Sequence, residues 1–456
     1  MTTAAGHPGT SDAMARGAAA VLRANDLGGW TKAAPRLYPH QWSWDSAFIA
    51  VGWARIDPVR AIRELTSLLS AQWATGLVPH IVFNPDVSAG SYFPDAERWD
   101  CRRLTEAAPA AVDTSGICQP PVHAIAALHI WSVAQHGDEA TRTGVRAAIH
   151  ELVPRLLAWH RYLATARDPE QSGLVTIVHP WESGTDNSPR WDQAMETILV
   201  GDLPPFARAD LQHVVDPSQR PTNEEYDRYL WLVELLKRAD YDDALIYESH
   251  PFLVKDILSS AILVTANSAL LALAEIGEAD DADRREIVEW RDRGLRGLAQ
   301  QWDAELGLAL DWNVRSAESI RVQSIAGFAP LIAGDPNEER RAAQLATLAS
   351  PAFLGHPDLR WPLPPSTSPD AAGFQPRSYW RGPVWPVFTW LLWWALDQSG
   401  EADVATRLRA AALDQLAAVG FAEYVEPFSG EPLGSADQSW TAAVALDWLA
   451  LPHTSP

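Results

Sequence analysis

Residues 179–192 hold the side chains with the clearest chemical potential in this chain. Two acids, Glu182 and Asp186, lie among small polar residues there, and Trp181 and Trp191 flank them. Small polar residues around a carboxyl group predict a loop that holds the group in place within reach of solvent. Indoles offer flat apolar faces on which a sugar ring packs while acids bind its hydroxyl groups. The competing interpretation is that Asp186 caps the next helix, and this segment alone leaves both open.

A second acidic segment of the same kind spans residues 421–431, where Glu423 and Glu426 lie among aromatic residues, a proline and a glycine. Cleavage of a glycosidic bond needs one carboxyl group to protonate the leaving oxygen and another to activate water on the opposite face of the sugar. In an inverting enzyme the two groups stand roughly 6.5–9.5 Å apart. An acid in this role must keep its proton near neutral pH, and a carboxylate such as Glu182 would raise the pKa of Asp186 if it lay close by, which the sequence leaves open.

Residues 36–46 combine ring faces with hydrogen-bonding groups, since Tyr38, Trp42, Trp44 and Asp45 lie within this short segment. A carboxylate such as that of Asp45 can accept from two neighbouring sugar hydroxyls with a geometry that water does not match. The alternative is that Asp45 caps a helix that begins at residue 47, with the indoles packed beneath it. We favour sugar binding, because a capping role for Asp45 would not prevent its carboxylate from also binding a sugar.

Residues 375–386 show the same chemistry, with Tyr379, Trp380 and Trp385 close together and Gly382 before a predicted helix. A structural helix start accounts for the glycine but not for so many groups that can stack on a ligand. The chain has 22 tryptophans against 9 tyrosines. Many of these tryptophans have polar loop neighbours, which indicates a ligand surface.

Other loops offer His80, Tyr92 and Gln119 as hydrogen-bonding groups for a ligand. Taken one at a time, each also fits an ordinary loop residue. The sequence shows no spacing of His, Cys and Asp that is typical of a metal site, and His123 with His129 is a poor ligand pair. We therefore predict no metal site.

A candidate anion site lies in residues 212–226, where Arg220 and Tyr226 surround a predicted helix start. A helix N-terminus and a guanidinium group together can bind an anion. Such a site is out of place in an enzyme for neutral disaccharides, but it suits a substrate with a carboxylate. The alternative is that Arg220 pairs with Glu224 on the surface.

The composition excludes several classes of protein. The 456-residue chain has a formal net charge of −22, which argues against nucleic acid and anionic membranes as partners. Residues 1–10 lack the features of a signal peptide. The longest apolar run that we find, residues 384–396, is shorter than the roughly 18 residues of a membrane span. Cys101 and Cys118 fit free thiols better than a disulfide framework, and we expect a cytoplasmic protein.

Helical signals dominate the chain. Asp57 and Pro58 open a helix that Gly76 ends, and the capping-box pair Thr222 and Glu225 opens another that continues to about residue 239. The remaining predicted elements are a strand over 174–178 and helices over about 120–135, 143–165, 253–277, 282–301, 338–349, 383–398, 402–418 and 437–449.

Three long loops, at about 76–118, 174–220 and 350–382, are rich in aromatic residues and proline. Long loops in a compact domain usually carry function. Helices joined alternately by short turns and long loops predict one all-α domain over residues 1–456. We expect an α/α toroid whose loops form a pocket at one end, with 174–220 contributing to that pocket or covering it. A helical solenoid would show a repeat of about 30–45 residues, and we find none.

Four segments, in chain order, resemble glycoside hydrolase family 63, and specifically its compact glucosylglycerate and mannosylglycerate hydrolases. The resemblance implies an (α/α)6 toroid, inversion at the anomeric carbon and no cofactor. It assigns the general acid to Asp186 and the general base to Glu423. Glu426, at a position where we expect Asn in many relatives, is the other candidate base. The matching segments are residues 38–45, 182–188, 379–385 and 423–431.

The same resemblance implies a small-molecule substrate, 2-O-α-D-glucosyl-D-glycerate, whose glycerate carboxylate suits the site at Arg220. It leaves the quaternary structure open, a homo-oligomer included. The predicted substrate-binding residues are Tyr38, Trp42, Trp44, Asp45, His80, Tyr92, Gln119, Trp181, Gly184, Arg220, Tyr226, Tyr379, Trp380, Gly382, Trp385 and Gln438.

Other functions compete with this interpretation. A mannosylglycerate hydrolase would share every motif, because the sequence does not distinguish glucose from mannose. A trehalase-like inverting α-glucosidase would leave the anion site unexplained, and its tryptophan-rich proline–asparagine motif is not visible. A non-catalytic carbohydrate-binding toroid would need the aromatic residues but not two loop carboxyls. A terpene-cyclase-like toroid needs aspartate clusters for magnesium, and Asp242 with Asp243 lacks the later aspartate.

Overall fold

Most of the chain is helical, as predicted, in a computed structural model that describes residues 8–88, 90–208, 211 and 216–451. The start of the sequence, for which we predict no signal peptide, and residues 212–215 of the candidate anion segment lie outside the described residues. The α-helices are α1 (Pro8–Asn25), α2 (Ser43–Ala54), α3 (Pro58–Ser70), α4 (Ala96–Trp99), α5 (Cys101–Leu104), α6 (His123–Ala134), α7 (Glu139–Thr165), α8 (Asp192–Glu196), α9 (Asn223–Arg238), α10 (Asp243–Ser249), α11 (Ile257–Ile276), α12 (Asp281–Gln300), α13 (Ala329–Ala333), α14 (Glu338–Ala349), α15 (Pro386–Gln398), α16 (Ala402–Val419) and α17 (Ser439–Ala450).

Short antiparallel strands accompany the helices, so a purely all-α description is wrong in detail. The predicted strand over 174–178 is confirmed as β3, at the edge of a four-stranded sheet of order β3-β4-β7-β8. Strands of two or three residues are too short to show an alternating pattern, which explains why the others were not predicted. The strands are β1 (Gln41–Trp42), β2 (Ile81–Val82), β3 (Thr176–Ile177), β4 (Val254–Lys255), β5 (Trp302–Asp303), β6 (Leu308–Ala309), β7 (Asp311–Asn313), β8 (Glu318–Ile320), β9 (Tyr424–Val425) and β10 (Pro432–Leu433).

The predicted helix starts are confirmed where the sequence supplies a cap. The Asp57 side chain accepts from the backbone N–H groups of the first turn of α3, whose first residue is Pro58. At α9, Thr222 and Glu225 form both halves of the capping box. Helix α3 nevertheless ends at Ser70, before the predicted stop at Gly76. Local caps therefore fix the beginnings of these helices more firmly than their ends.

Six helices pack in a closed cycle. Helix α2 packs on α6, α6 on α11, α11 on α13, α13 on α15, α15 on α17, and α17 returns to α2. A second helix packs outside each of them: α3 on α2, α7 on α6, α12 on α11, α14 on α13, α16 on α15 and α1 on α17. The inner helices α2, α11 and α17 are buried along most of their length. The core therefore lies between the inner helices and beneath their outer partners.

Helix α11 corrects one expectation from the sequence. Its 20 residues are long and apolar enough to cross a membrane by length and composition, so residues 384–396 are not the longest apolar segment. Scattered serines and one buried asparagine, Asn267, concealed the run. Within the fold, 78% of the most apolar part of α11 is buried. It lies in the inner layer, where a helix that is apolar on every face belongs.

Two inner helices, α2 and α17, approach each other very closely. A Cβ atom added to Gly52 would stand 2.3 Å from the Cα atom of Ala443. No side chain fits at that distance, so Gly52 lets two helix backbones pass each other directly. The cycle closes at this contact.

Candidate active site

The segments that lead into α2, α6, α15 and α17 meet around one cavity. Asp186, Glu423 and every predicted substrate-binding residue except Gly382 and Trp385 line it. Asp45 lies in the first turn of α2, at the positive end of the helix dipole. The lining residues are Leu37, Tyr38, Trp42, Trp44, Asp45, His80, Ser91, Tyr92, Phe93, Pro94, Gln119, Trp181, Gly184, Asp186, Arg220, Pro221, Tyr226, Tyr229, Tyr379, Trp380, Glu423, Gln438 and Trp440.

Gly382 and Trp385 stand behind the cavity wall, so we no longer expect them to touch a substrate. The Trp385 ring stacks on that of Trp380, with centroids 3.8 Å apart and planes within 2°. The Tyr424 ring stacks on Trp385 at 4.5 Å. A Cβ atom at Gly382 would lie 2.5 Å from the carbonyl oxygen of Gln375, so only glycine fits there. Both residues support the wall that Trp380 presents to the cavity.

Asp186 lies in the turn after a short 3-10 helix, and its side chain is half-buried at the cavity. The Tyr229 hydroxyl donates to the Asp186 carbonyl oxygen at 3.1 Å, which fixes the turn. Burial raises the pKa of the Asp186 carboxyl to about 7, the Arg220 guanidinium lowers it, and Glu423 adds a smaller upward shift. A carboxyl group in this setting keeps a large share of its proton at neutral pH.

Gly184 allows the Asp186 turn to pass close to an indole. Its backbone is in the left-handed region, with φ 68°, and an added Cβ atom would lie 2.5 Å from the Trp44 ring. The Trp44 ring in turn meets the ring of Trp440 edge-on at 5.6 Å and lies 6.2 Å from that of Trp380. These three indoles form one wall of the cavity. The turn that carries the acid therefore rests directly on the aromatic wall.

Glu423 is buried just before β9, and two donors hold its carboxylate. The Tyr38 hydroxyl donates to Oε1 at 2.7 Å, and the Ser435 backbone N–H donates to Oε2 at 2.8 Å. Gly434, which directly follows β10, lies against the carboxylate, since an added Cβ atom would lie 2.5 Å from Glu423 Oε2. These contacts hold the carboxylate in one orientation toward the cavity.

Glu426, the other candidate base, does not line the cavity. Its carboxylate accepts from the Phe428 backbone N–H at 2.9 Å and from the Ser429 hydroxyl at 2.6 Å. This acid therefore stabilises its own turn. Of the two candidate bases in the segment, only Glu423 faces the space where a substrate fits.

Asp45 lies in the first turn of α2, which begins at Ser43, so it is not the cap of a helix from residue 47. Its side chain is buried, and its pKa is well above the usual range because of burial, with further contributions from Glu423 and Asp186. Trp42, at the N-cap, gives no side-chain bond. Instead the Gln119 side-chain oxygen accepts from the Trp44 backbone N–H at 3.2 Å. A residue from another segment thus caps the helix that carries Asp45.

Arg220 reaches the cavity from the loop before α9. Its guanidinium lies over the Tyr379 ring, 4.5 Å from the centroid, and donates to the Tyr38 hydroxyl at 3.3 Å. Tyr379 itself has a left-handed backbone, φ 39°, a costly conformation for a bulky residue that is typical of functional sites. The Tyr226 hydroxyl donates to the Phe93 carbonyl oxygen at 3.0 Å. Its proton is therefore engaged with the backbone, while its ring still lines the cavity.

Other residues that line the cavity are uncharged. The His80 ring stacks on Trp181 with centroids 6.2 Å apart, and burial lowers the pKa of His80 to about 3, so the imidazole is neutral. Tyr92 meets the Trp42 ring edge-on at 5.4 Å. Gln438, with its amide nitrogen toward the Ala33 carbonyl, also accepts from the Trp440 indole N–H at 3.3 Å. These neutral groups can hydrogen-bond a ligand or pack on it without changing the charge of the site.

Several important residues were not predicted. Asn187 accepts from the Trp380 backbone N–H at 2.9 Å, which ties the Asp186 loop to the loop before α15. Arg190 is buried between Asp311 and Asp256 at 2.6 and 3.0 Å. Arg190 could have been suspected from its motif, whereas its two partners follow no local pattern. Tyr229 follows Tyr226 at helical spacing on α9, a signal that could have been used.

The sequence left open whether Glu182 raises the pKa of Asp186, and Glu182 is not among the groups that shift it. It does not line the cavity, and its carboxylate is paired with the Arg167 guanidinium through two bonds of 2.8 Å. The upward shifts in the Asp186 pKa come from burial and from Glu423 instead. Over the described residues, no group of three or more His, Cys, Asp or Glu side chains could hold a metal ion.

The chain matches the family described as the mannosylglycerate hydrolase MGH1-like glycoside hydrolase domain over residues 38–441. It is 47% identical over 440 residues to the glucosylglycerate hydrolase of Mycolicibacterium hassiacum, covering 96% of this chain and 98% of that one. The crystal structure of a family 63 mannosylglycerate hydrolase from Thermus thermophilus, in complex with Tris and D-glycerate, superposes with a TM-score of 0.87 at 42% identity, covering 95% of this chain and 99% of that chain.

Neutral trehalase from Saccharomyces cerevisiae shares the fold alone, with a TM-score of 0.52 at 15% identity over 91% of this chain and 72% of that chain. The family match spans the cavity from Tyr38 to Gln438 and includes both candidate catalytic acids. The chain therefore belongs to the MGH1-like family of glycoside hydrolases, within glycoside hydrolase family 63.

Proposed function

We propose that this glycoside hydrolase cleaves 2-O-α-D-glucosyl-D-glycerate to glucose and glycerate, with inversion at the anomeric carbon. The observation that carries the proposal is that two differently held carboxyl groups face one cavity. Asp186 has a pKa of about 7, and Glu423 accepts from a tyrosine hydroxyl and a backbone N–H. Two acids whose environments differ in this way suit a general acid and a general base.

We also propose an (α/α)6 toroid as the architecture that presents this cavity. The closed cycle α2–α6–α11–α13–α15–α17, with one outer helix against each member, supports it. The first turn of α2 supplies Asp45 to the cavity, and the loops that lead into α6, α15 and α17 supply Gln119, Tyr379 and Gln438. Gathering of long loops at one end of a ring explains how residues so distant in sequence share one site.

In the proposed reaction, Asp186 donates its proton to the oxygen that leaves with glycerate. Glu423 accepts a proton from the water that attacks the anomeric carbon from the opposite face. Tyr38 and the Ser435 N–H engage both carboxylate oxygens of Glu423, so the base keeps its orientation while the water approaches. After the reaction Asp186 is ionised and Glu423 is protonated, and exchange with solvent restores both.

The glucose unit is proposed to lie against the Trp44, Trp380 and Trp440 wall, with Asp45 accepting from its hydroxyls. A pocket built for such hydrogen bonds rejects analogues that lack the bonded hydroxyl more strongly than an apolar pocket does. We expect Asp45→Ala to reduce kcat/KM for the full substrate sharply. Unchanged kinetics would remove this assignment.

The glycerate carboxylate is proposed to bind Arg220. The chain carries a net charge of −22, which repels an anionic substrate at long range, so a local cation is needed. Two charge-assisted bonds from the guanidinium are worth about 2–4 kcal/mol, or roughly 30- to 1000-fold in kcat/KM. Arg220→Ala should therefore reduce activity on glucosylglycerate far more than on the neutral analogue glucosylglycerol. Equal losses on both would show that Arg220 is only structural.

The catalytic assignment is tested by Asp186→Asn and Glu423→Gln. Each should lower kcat by orders of magnitude while substrate binding persists, because the amide keeps the shape but cannot transfer the proton. Glu426→Gln is the matched control in the same segment and should retain most activity. Proton NMR early in the reaction should show β-glucose. Retention of the α-configuration would exclude inversion.

Mannosylglycerate hydrolysis is the second candidate, since the structural relative from Thermus thermophilus is described as a mannosylglycerate hydrolase. The two substrates differ only at the sugar C2 hydroxyl. Comparing kcat/KM for glucosylglycerate, mannosylglycerate and trehalose decides among the alternatives. Preference for trehalose would contradict both glycerate proposals.

A further inference from the structure

Glu182 lies outside the cavity, yet its carboxylate has an unusually complete set of partners. Its Oε2 accepts from the Val178 backbone N–H at 2.7 Å and from Arg167 at 2.8 Å. Its Oε1 accepts from Arg167 at 2.8 Å, from the Cys118 backbone N–H at 3.1 Å and from the Cys118 thiol at 3.3 Å. Both charged side chains are buried, 0% exposed for Glu182 and 3% for Arg167. Each carboxylate oxygen therefore accepts from Arg167 and from one backbone N–H group.

Arg167 is held in turn from the far side of the pair. Its Nε donates to the Tyr162 hydroxyl at 2.9 Å, and that hydroxyl donates to Asp243 at 2.8 Å. The nearby acids keep the pKa of Arg167 well above its ordinary value despite burial. Residues of α7 and α10 thus fix the position of the Arg167 guanidinium, and the ion pair with Arg167 fixes the position of Glu182.

The two backbone groups that Glu182 holds belong to two different walls of the site. Val178 precedes the 3-10 helix over residues 180–183, which leads through Gly184 to Asp186. Cys118 immediately precedes Gln119, whose side-chain oxygen caps α2 next to Asp45. One carboxylate therefore joins the loop of the proposed acid to the segment that caps the glycone-binding helix.

We propose that Glu182 is a positioning residue, which sets the Asp186 turn and the Gln119 segment at their mutual distance by holding the Val178 and Cys118 backbones against Arg167. The inference rests on the proposed function, because it assigns Glu182 a role in the same reaction. It does not make Glu182 a catalytic residue, since it touches neither the cavity nor the reacting atoms. A displacement of about 1 Å in such a turn can reduce a rate about 100-fold.

The first test is Glu182→Gln, which keeps the shape but replaces one acceptor oxygen with a donor NH2 group. One of the two backbone N–H groups then loses its acceptor. We expect kcat on glucosylglycerate to fall about 10- to 100-fold per folded molecule. We also expect the alkaline midpoint of the kcat profile to move to lower pH, because a loosened Asp186 turn is more hydrated. The charged and titratable groups facing Asp186 are otherwise unchanged: Arg220, Glu423, Asp45, Tyr229 and Tyr379.

A second variant guards against loss of folding, because a buried guanidinium without its partner destabilises a protein strongly. Arg167→Gln combined with Glu182→Gln leaves no unpaired guanidinium and should restore part of the stability, since Asp243 keeps the Tyr162 hydroxyl as a donor, while the second acceptor oxygen is still missing. The lower kcat and the shifted midpoint should therefore persist. Asp447→Asn is the matched control: it breaks a buried ion pair with Arg55, which is 2.8 Å away and outside the cavity lining. It should lower the melting temperature and leave the midpoint unchanged.

Recovery of wild-type kcat and midpoint in the double variant would overturn the positioning role and leave Glu182 as a stabilising ion pair. An unchanged kcat in Glu182→Gln would overturn it as well. A wild-type protein that hydrolyses neither glucosylglycerate nor mannosylglycerate would instead overturn the proposed function. The two failures are therefore distinguished by the wild-type measurement alone.

Discussion

Asp186 is subject to opposing influences that decide whether it can act as an acid. Burial raises its pKa to about 7, Arg220 lowers it, and Glu423 raises it slightly. The same arginine is proposed to bind the glycerate carboxylate. Substrate binding would then neutralise the group that favours the ionised form of Asp186. The proton should be held more tightly in the complex than in the free enzyme.

The pH profile gives a direct test of this balance. The acid is active when protonated, so activity should be lost as pH rises through its pKa, with a midpoint of kcat/KM near pH 7 in the free enzyme. Arg220→Met removes the cation that lowers this pKa, so its midpoint should move to higher pH. The measurement is kcat/KM for neutral glucosylglycerol, which avoids the loss of carboxylate binding. A downward shift would contradict the assignment of Asp186.

At the same scale, the sequence predicted which side chains face the cavity better than it predicted what each one does. Acids and indoles in polar loops are rarely needed for packing, so Asp186, Asp45 and Trp380 were found. The role of Glu182 stayed open because its partner Arg167 is a single residue that no local pattern marks. Trp385 was assigned to the ligand because sequence does not distinguish a ring that faces a cavity from one stacked behind it.

The hairpin of β9 and β10 is an element whose backbone serves the proposed base. Gly434 has a φ of 72°, and an added Cβ atom would lie 2.5 Å from Glu423 Oε2. We predict that Gly434→Ala displaces the carboxylate and lowers kcat at least about 10-fold. Gly400→Ala is the control, since φ is 83° there with nothing within 4 Å. It should cost about 1 kcal/mol of stability and leave kcat unchanged. Equal losses of kcat in the two variants would show that backbone strain, and not contact with Glu423, causes the effect.

Elements were predictable where a cap or a long periodic run marks them. The starts of α3 and α9 follow from their caps, and the runs of α12 and α14 were placed within a residue or two. The paired strands β5 to β8 were missed because each contains only two or three residues. Such strands form because distant segments are brought together, which local sequence does not encode.

At the scale of the whole molecule, closure of the helix cycle depends on the contact of α2 with α17. We predict that Gly52→Ala destabilises the protein by about 1–3 kcal/mol or more, because its Cβ atom meets the Ala443 backbone. Gly144→Ala is the control on α7, where the nearest atom is an ordinary contact at 3.6 Å. It should stabilise by about 0.5–1 kcal/mol through helix propensity. Denaturant unfolding measures both, and equal stabilisation would contradict a closed contact at Gly52.

The cycle has a further consequence for how the protein is made. A ribosome delivers the chain from its N-terminus, so a nascent chain that has emerged as far as α12 carries Asp186 without Glu423. Until α17 arrives, α2 presents an apolar face with no neighbour, the kind of surface that chaperones bind. When α17 packs on α2, late in synthesis, the apolar face of α2 should become buried. Hydrolytic activity should appear at the same step. Chains stalled before α17 has emerged should therefore bind chaperones and show no hydrolytic activity.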